Sequence, residues 1–455
     1  MTESAPLASA STPRILVVGG GYVGMYTALR LQRKLKRGEA GIVLVEPQPY
    51  MTYQPFLPEA AAGSISPRHV VVPLRRVLRG CRIVVGEVRG VDHDKRVASV
   101  VTPATEEEGG GALEIPYDHL VLAPGAVSRT LPVPGLAEYG IGFRNVEEAI
   151  GLRNHVLEQL DIASSTRDAE VREAALTFVF VGGGYAGVEA LGELENMARY
   201  ATRYYPDIVP EDMKWVLVEA AGRILPEVGE ALGTYAIREL RGRNVDVRLE
   251  TRLVSCEHRI ATLSDGDRLP TRTLVWTAGV KPAPVLAATG LPLTASGRLR
   301  TEATLRVAGA EAAWAAGDAA AVPDLTADEP GTWCAPNAQH ALRQARVLAD
   351  NIVAELRGRP LAEYRHRHAG SVASLGLHEG VARVYGRTFK GYPAWLLHRL
   401  YHLGRVPTVN RKARVLAEWI LSGLFKREIV SLGSLEHPGT GRGSAAGTGR
   451  APDAP

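Results

Sequence analysis

Residues 179–190 read VFVGGGYAGVEA, and residues 17–28 read VVGGGYVGMYTA. Each is an apolar, strand-like run that ends in a glycine loop and continues with helical spacing. In the earlier copy, Gly19-x-Gly21-x-x-Gly24 supplies a tight turn, an open backbone for a pyrophosphate, and close helix–strand packing. The phosphates then meet free N–H groups at the helix N-terminus. The helix is expected over Tyr22 to about Leu35. A second strand, Ile42–Val45, ends at Glu46, 22 residues past Gly24, where a carboxylate can accept from both ribose hydroxyls. One dinucleotide needs one such loop, and this chain has two.

The second loop, Gly182-x-Gly184-x-x-Gly187, follows a strand over Leu176–Val181 and opens a helix near Ala186. Its acid, Glu219, ends the strand Trp215–Val218. The spacing from Gly187 is 32 residues, because NMARYATRYYPDIVPEDMK is inserted before that strand. Two loops imply two dinucleotides. A noncovalently held FAD is the natural first and NADH the second, with hydride passing between them. Glu219 favours NADH, since a carboxylate repels the 2′-phosphate of NADPH, and Arg223 close by works the other way.

At 455 residues the chain is too long for a single core. Its 45% apolar and 22% charged residues are ordinary for a globular protein. Cys81, Cys256 and Cys334 lie far apart, so neither a disulfide framework nor a local redox pair is expected. No metal site and no nucleic-acid partner are expected. MTESAPLASAST at the start has no apolar core of a signal peptide, and no apolar run reaches eighteen residues, so no membrane-spanning helix is expected. Only eight of the 53 basic residues are lysine, a bias that fits a GC-rich bacterial genome. The net charge of +4 is uneven. Residues 381–430 hold ten Arg/Lys against two Glu, a local +8 that leaves about −4 elsewhere.

Between the two loops, residues 81–122 read as strands and turns interrupted by TPATEEEGGG, an expected exposed loop. Strands are expected at Leu274–Trp276 and Ala312–Ala316. NAQHALRQARVLADNIVAEL reads as a helix with Asn337 as its N-cap. Residues 436–455 and 1–12 are expected to be disordered tails.

LVLAPGA at 120–126, WTAGVKP at 276–282 and WAAGDAA at 314–320, taken with the two loops, resemble the two-dinucleotide flavoprotein reductases. The resemblance makes Gly125 and Gly279 parts of the turns where the chain crosses between FAD and NADH domains, with Pro124 replacing a usual Thr. It puts Gly317 and Asp318 at the ribityl chain of FAD, and the backbone of Val88, in GEVRGVD, at the adenine. Members with disulfide, peroxidase or sulfide:quinone chemistry need cysteines that are missing here. MTYQPFLPEAAAGSIS and PNAQHALRQA resemble segments of the type II NADH:quinone oxidoreductases, over about residues 14–435. That resemblance implies hydride transfer from NADH to FAD and electron delivery to a membrane quinone without proton pumping. It places Gln339 in the quinone motif and Glu189 near nicotinamide and flavin, as the two catalytic candidates.

Hydride transfer needs positioning and exclusion of water rather than an acid or base. A reduced flavin is anionic, and Ala338 and Gln339, in the first turn behind Asn337, offer free N–H groups to it. Quinone reduction needs two protons, with Glu189, Gln339 and water as candidates to deliver them. GYPAWLLHRLYHL and VLAEWILSGLF carry Trp395, Leu400, Leu416, Trp419 and Ile420 at helical spacing, with Arg399, Arg405, Arg411, Lys412, Arg414, Lys426 and Arg427 around them. Such helices lie on an anionic membrane surface, or pack on the first domain, or form a homodimer interface. The expected fold class is α/β, with two Rossmann-like dinucleotide-binding domains, the second inserted in the first, plus a C-terminal amphipathic helical membrane-associating region. The expected boundaries are 13–145 with 295–375 for FAD, 146–294 for NADH, and 376–435 for the monotopic region. The expected location is peripheral, on the cytoplasmic face of a bacterial plasma membrane. A related reductase with a sulfur or soluble acceptor, or a non-catalytic NADH-sensing flavoprotein, stands as the alternative.

Overall fold

The computed structural model of the protein describes residues 12–429 apart from 108, 130, 330, 367–369 and 426–428. The expected tails, except residue 12, lie outside the described residues, as do Lys426 and Arg427. Two five-stranded parallel sheets carry the molecule, and four strands of each follow the same order, while the fifth is the last of its sheet along the chain in the first and the earliest in the second. In the first, Arg14–Val18 lies between Gly41–Glu46 and His119–Leu122, with Cys81–Val85 at one edge and Ala313–Ala315 at the other. In the second, Thr177–Val181 lies between Lys214–Val218 and Thr273–Trp276, flanked by Val245–Arg248 and Gly140–Gly142. Both strands that feed a glycine loop are central, so each reads as a continuous apolar run rather than an alternating one.

Helix α1, Tyr22–Lys34, buries Val23, Met25, Ala28 and Leu31, the one-face spacing that the sequence shows. Helix α2, Leu57–Ala61, is buried at all five positions. Helix α3, Tyr185–Ala201, absorbs NMARYA, so the longer spacing to Glu219 is partly a longer helix. Helix α4, Ala338–Leu356, is capped by Asn337, whose side chain accepts from the His340 N–H. It packs on α1, where Arg30 donates to both oxygens of Asp350 at 2.6 and 2.7 Å. The two chain crossings meet as a ribbon, Ala126–Ser128 antiparallel to Val280–Pro282. Residues 103–107, expected as loop, form a short helix, with Thr102 and Thr105 bonding each other's backbone at its start.

Two expected boundaries do not match the sheets. Gly140–Gly142 pairs with Leu274–Trp276 of the second sheet although it precedes residue 146. The 375/376 boundary falls inside a hairpin, because Gly370–Ser374 pairs with Gly380–Val384, which pairs with Arg387–Lys390. A hydrogen-bonded sheet cannot be divided at its turn.

Helices α5, Tyr392–Arg405, and α6, Val409–Leu424, form the C-terminal region. Their tryptophans face the protein, as the alternative of packing on the first domain implies. Trp395 is buried, Trp419 is half-buried, and both rings stack on Arg399, at 4.1 and 4.8 Å. Arg399 is itself buried and lies 3.1 Å from Glu59 of α2, which also accepts from the Trp419 indole at 2.7 Å. Burying an arginine requires a charge and aromatic faces, and Glu59 with the two indoles supplies both. Removing only the acid, as Glu59→Ala, should cost about 3–5 kcal/mol by stranding the guanidinium. A double change, Glu59→Leu with Arg399→Met, should recover most of it. Thermal unfolding and protease cleavage after residue 391 measure both, and an unaffected Glu59→Ala would refute the coupling.

Candidate active site

The two glycine loops have the same internal geometry. Gly19 (φ +97°) and Gly182 (φ +119°) take the left-handed turn that a side chain would strain. A Cβ on Gly24 would sit 1.8 Å from the Gly19 carbonyl oxygen, and one on Gly187 2.0 Å from that of Gly182. By contrast, Gly21 and Gly184 face open space, with nothing within 4 Å. An open middle position beside two crowded ones is the shape a pyrophosphate requires. The Gly20 N–H donates to Glu46 Oε2 at 2.5 Å, and the Gly183 N–H to Glu219 Oε2 at 2.6 Å. Each acid therefore braces its own loop with one oxygen. The other accepts from a nearby N–H, Gln48 at 3.4 Å and Ala221 at 2.7 Å.

The turns that close each loop differ by one hydroxyl. Thr277 Oγ1 donates within reach of the Val181 and Gly182 carbonyls, at 2.9 and 3.2 Å. Ala123 takes that place in the first loop, its N–H on the Val18 carbonyl at 2.9 Å as the Thr277 N–H is on that of Val181, and it has no hydroxyl to donate.

Two cavities meet between the sheets. One, about 640 Å³, runs from Gly21 and Glu46 past Gly125 to Asp318 and Ala338. The other, about 450 Å³, is lined by Tyr185 and Glu189 of α3, Gly279, Gln339, and Tyr401 and His402 of α5. Tyr22, Arg144, Asp318 and Ala338 line both. Burial raises the Asp318 carboxyl above its ordinary value, against the pull of Arg144 and Arg298. Burial likewise raises Glu46, and the Gly20 and Gln48 N–H groups oppose it. Gly317 (φ +67°) sits behind Asp318 with its N–H on Gln344 Oε1 at 2.8 Å. Gly182, Gly184, Gly187 and Glu219 line neither cavity and lie along the outer course of the second loop. Val88 lines neither as well. It is buried in a small sheet, paired with Val100.

Arg144 gives no sequence signal. Its Nη2 donates to the Ala126 carbonyl at 2.7 Å, while its Nη1 is buried without a partner among the described residues. Burial pushes the guanidinium below its ordinary value. An orphaned cationic N–H on the wall shared by two cavities calls for an anionic or carbonyl group there. With the open Gly21 and the acids Glu46 and Asp318, it makes the site fit a flavin dinucleotide.

Glu189 is buried, accepts from the Ser374 N–H at 2.9 Å, and lies 3.2 Å from His398 Nε2. His398 stacks edge-on with His402 at 4.5 Å between ring centroids, and the Tyr53 hydroxyl reaches His402 Nδ1 at 3.2 Å. The i,i+4 spacing of the two histidines on α5 is the signal that could have revealed this pair. The Gln339 side chain donates to the Gly370 carbonyl at 3.2 Å and meets His366 Nε2 at 3.1 Å. Glu189 and Gln339 thus share one cavity wall region, each held by a backbone group of the strand Gly370–Ser374.

The pyridine nucleotide-disulphide oxidoreductase family profile matches residues 13–345. The type II NADH:quinone oxidoreductase Ndh of Mycobacterium tuberculosis is 29% identical over 91% of this chain and 89% of its own length. The type II NADH:quinone oxidoreductase of Staphylococcus haemolyticus is 28% identical over 85% of this chain and 93% of its own. In fold, NDH2 from Plasmodium falciparum, solved in complex with NADH, superposes with a TM-score of 0.83 at 15% identity, covering 92% of this chain and 100% of that one. The sulfide:quinone oxidoreductase of Aquifex aeolicus reaches 0.69 at 17% identity, over 92% and 96%.

His402 is held well below its ordinary value of 6.5, first by burial, then by His398 and Arg405. The folded chain therefore refuses a proton that the unfolded chain accepts. Stability from this group is full above pH 6.5 and falls as the pH drops through that value. Between pH 7.5 and 5.5 the loss should be about 1 kcal/mol. Thermal unfolding at the two pH values should show a smaller drop for His402→Asn than for the natural protein, and an equal drop would refute the assignment.

Proposed function

The chain belongs to the pyridine nucleotide-disulphide oxidoreductase family, and on that premise we propose that it is a type II NADH:quinone oxidoreductase. It takes hydride from NADH and delivers two electrons to a quinone through a noncovalent FAD, without pumping protons. The observation that carries this reading is the pair of adjoining cavities. Their shared wall of Tyr22, Arg144, Asp318 and Ala338 lies between the first glycine loop and α3 of the second. When bound, FAD supplies the hydride-accepting and electron-delivering chemistry. The remaining work belongs to the chain.

Gly21 and the α1 N-terminus take the pyrophosphate, and Glu46 takes the adenosine ribose. Asp318 takes the ribityl chain, and Arg144 Nη1 gains the acceptor it lacks. On the other side Gly184 and Glu219 hold NADH, with Glu219 disfavouring a 2′-phosphate. Tyr185 and Gly279 direct the nicotinamide inward, where the apolar lining excludes water. At the quinone end the N-terminal dipole of α4, at Ala338 and Gln339, favours developing negative charge. Glu189, linked to His398, moves protons toward the reduced quinone.

The thiols, two buried and Cys81 half-buried, give no support for a sulfur acceptor. Burial raises Cys334 to about 11 and Cys81 to about 12, and all three cysteines are free.

Membrane contact and location belong to the same proposal. No helix among the described residues is long and apolar enough to cross a membrane. Helices α5 and α6 leave Leu396, Leu400, Leu416, Ile420 and Leu424 exposed, and Phe425, just past α6, is exposed too. This face supports peripheral attachment at the cytoplasmic side of a bacterial plasma membrane, with a homodimer as a second use of the same surface.

Steady-state NADH oxidation with a short-chain quinone tests the function. Rapid turnover is expected, and a single stoichiometric bleaching of flavin without turnover would overturn it. Glu189→Gln should lower quinone turnover by roughly 10²-fold while leaving single-turnover flavin reduction by NADH near that of the natural protein. Glu219→Ala should cost about 1–3 kcal/mol in NADH recognition and narrow the gap to NADPH. A natural protein that prefers NADPH would refute the role of Glu219. Asp318→Ala should release FAD on gel filtration.

A further inference from the structure

A third cavity, about 450 Å³, lies away from both glycine loops, between α1, the segment 76–80 and the turn that joins α5 to α6. Its charged lining is Arg33, Arg76 and Arg79, and no carboxylate among the described residues lines it. None of the three side chains has a hydrogen-bond or ion-pair partner among the described residues, and all three are exposed. Glu39, the acid nearest Arg33 in sequence, is already taken by Arg357, and Asp350 of α4 by Arg30 and Lys34. Gln32 is also engaged, bridging the Val77 carbonyl and the Gly80 N–H.

The crowding of like charge extends beyond the cavity. Thr408, on its rim, caps α6 through the Arg411 N–H. The Arg411 guanidinium is held below its ordinary value first by burial, then by repulsion from Arg414 and Arg76. Three guanidinium groups without a protein partner around one hollow give it a positive potential that favours an anion.

The rim also decides which anion. Val409, the residue after Thr408, is 82% exposed. From it Leu416, Ile420 and Leu424 continue along α6 at spacings of one helical face, all exposed. A free phosphate would satisfy the arginines and leave this stripe in water. A phospholipid satisfies both, its phosphate in the hollow and its chains against the stripe. We propose that the Arg33–Arg76–Arg79 cavity binds the phosphate of an anionic phospholipid and so orients α6 on the membrane. This rests on the peripheral attachment proposed above, and it adds residues from outside the basic C-terminal segment to that contact.

The test is co-sedimentation of the full-length, FAD-loaded protein with phosphatidylcholine vesicles, with and without phosphatidylglycerol. The triple variant Arg33→Gln, Arg76→Gln, Arg79→Gln is compared with a charge-matched control on the second sheet unit, Arg167→Gln, Lys214→Gln, Arg268→Gln. The first triple should lose affinity for phosphatidylglycerol vesicles by on the order of a hundredfold, while the control stays near the natural protein. Flavin content and turnover with a soluble quinone, read in parallel, should be unchanged in both. Equal losses in the two triples would reduce the effect to bulk charge and overturn the site. Undiminished binding by the first triple would overturn it as well. Displacement from the vesicles by millimolar inorganic phosphate would reassign the hollow to a soluble anion. If the natural protein turns over quinone yet ignores phosphatidylglycerol, the lipid site fails while the enzyme reading stands.

Discussion

Each dinucleotide loop is tied down by the same hydrogen bond, from the N–H of the second of its three consecutive glycines to a carboxylate at the end of the neighbouring strand. In the first unit the pair is Gly20 and Glu46, in the second Gly183 and Glu219. The bond ties the turn to the parallel sheet and fixes where the helix N-terminus points. It also positions a carboxylate at the strand end, in reach of a ribose. The close approach of Gly24 to the Gly19 carbonyl, and of Gly187 to that of Gly182, follows from the same turn. Two copies of this arrangement are set on sheets that share the order of four strands.

The C-terminal helices are attached to the rest of the protein by polar chemistry in a dry place. Arg399 is held between two indoles and the Glu59 carboxylate, and Ser66 and His69 both reach Glu418 of α6. Such a connection costs more when half of it is lost than it gains as a whole, because an unpaired buried charge remains. Its value lies in register. It sets His398 beside Glu189 and His402 beside Tyr53, so the face of α5 opposite its exposed leucines becomes part of the cavity wall. Any occupant of the cavity is thus in mechanical contact with the helices that carry the exposed apolar face.

The strand Gly370–Ser374 is the other shared support. Its backbone accepts from Gln339 at one end and donates to Glu189 at the other. A strand placed by sequence in the first domain thereby positions a side chain of the second unit. The division of the chain into nucleotide domains describes its sheets better than its site.

Much of this molecule was legible in one dimension. The glycine spacing, the strand runs and the acids Glu46 and Glu219 are local features, set by backbone geometry within a few tens of residues, and the Asn337 cap needs only its own helix. Those signals determined the α/β class and the two dinucleotides. Tertiary structure decided what comes from distant segments. An amphipathic helix with Trp, Leu and Arg on it does not reveal which of them is covered, since all three suit either a protein or a lipid boundary. Packing against Glu59 buried Trp395 and Arg399 and left the leucines outside. The same holds for Arg144, whose role appears only where two cavities share a wall. It holds again for Arg33, Arg76 and Arg79, ordinary surface residues until the fold sets them around one hollow with no opposite charge.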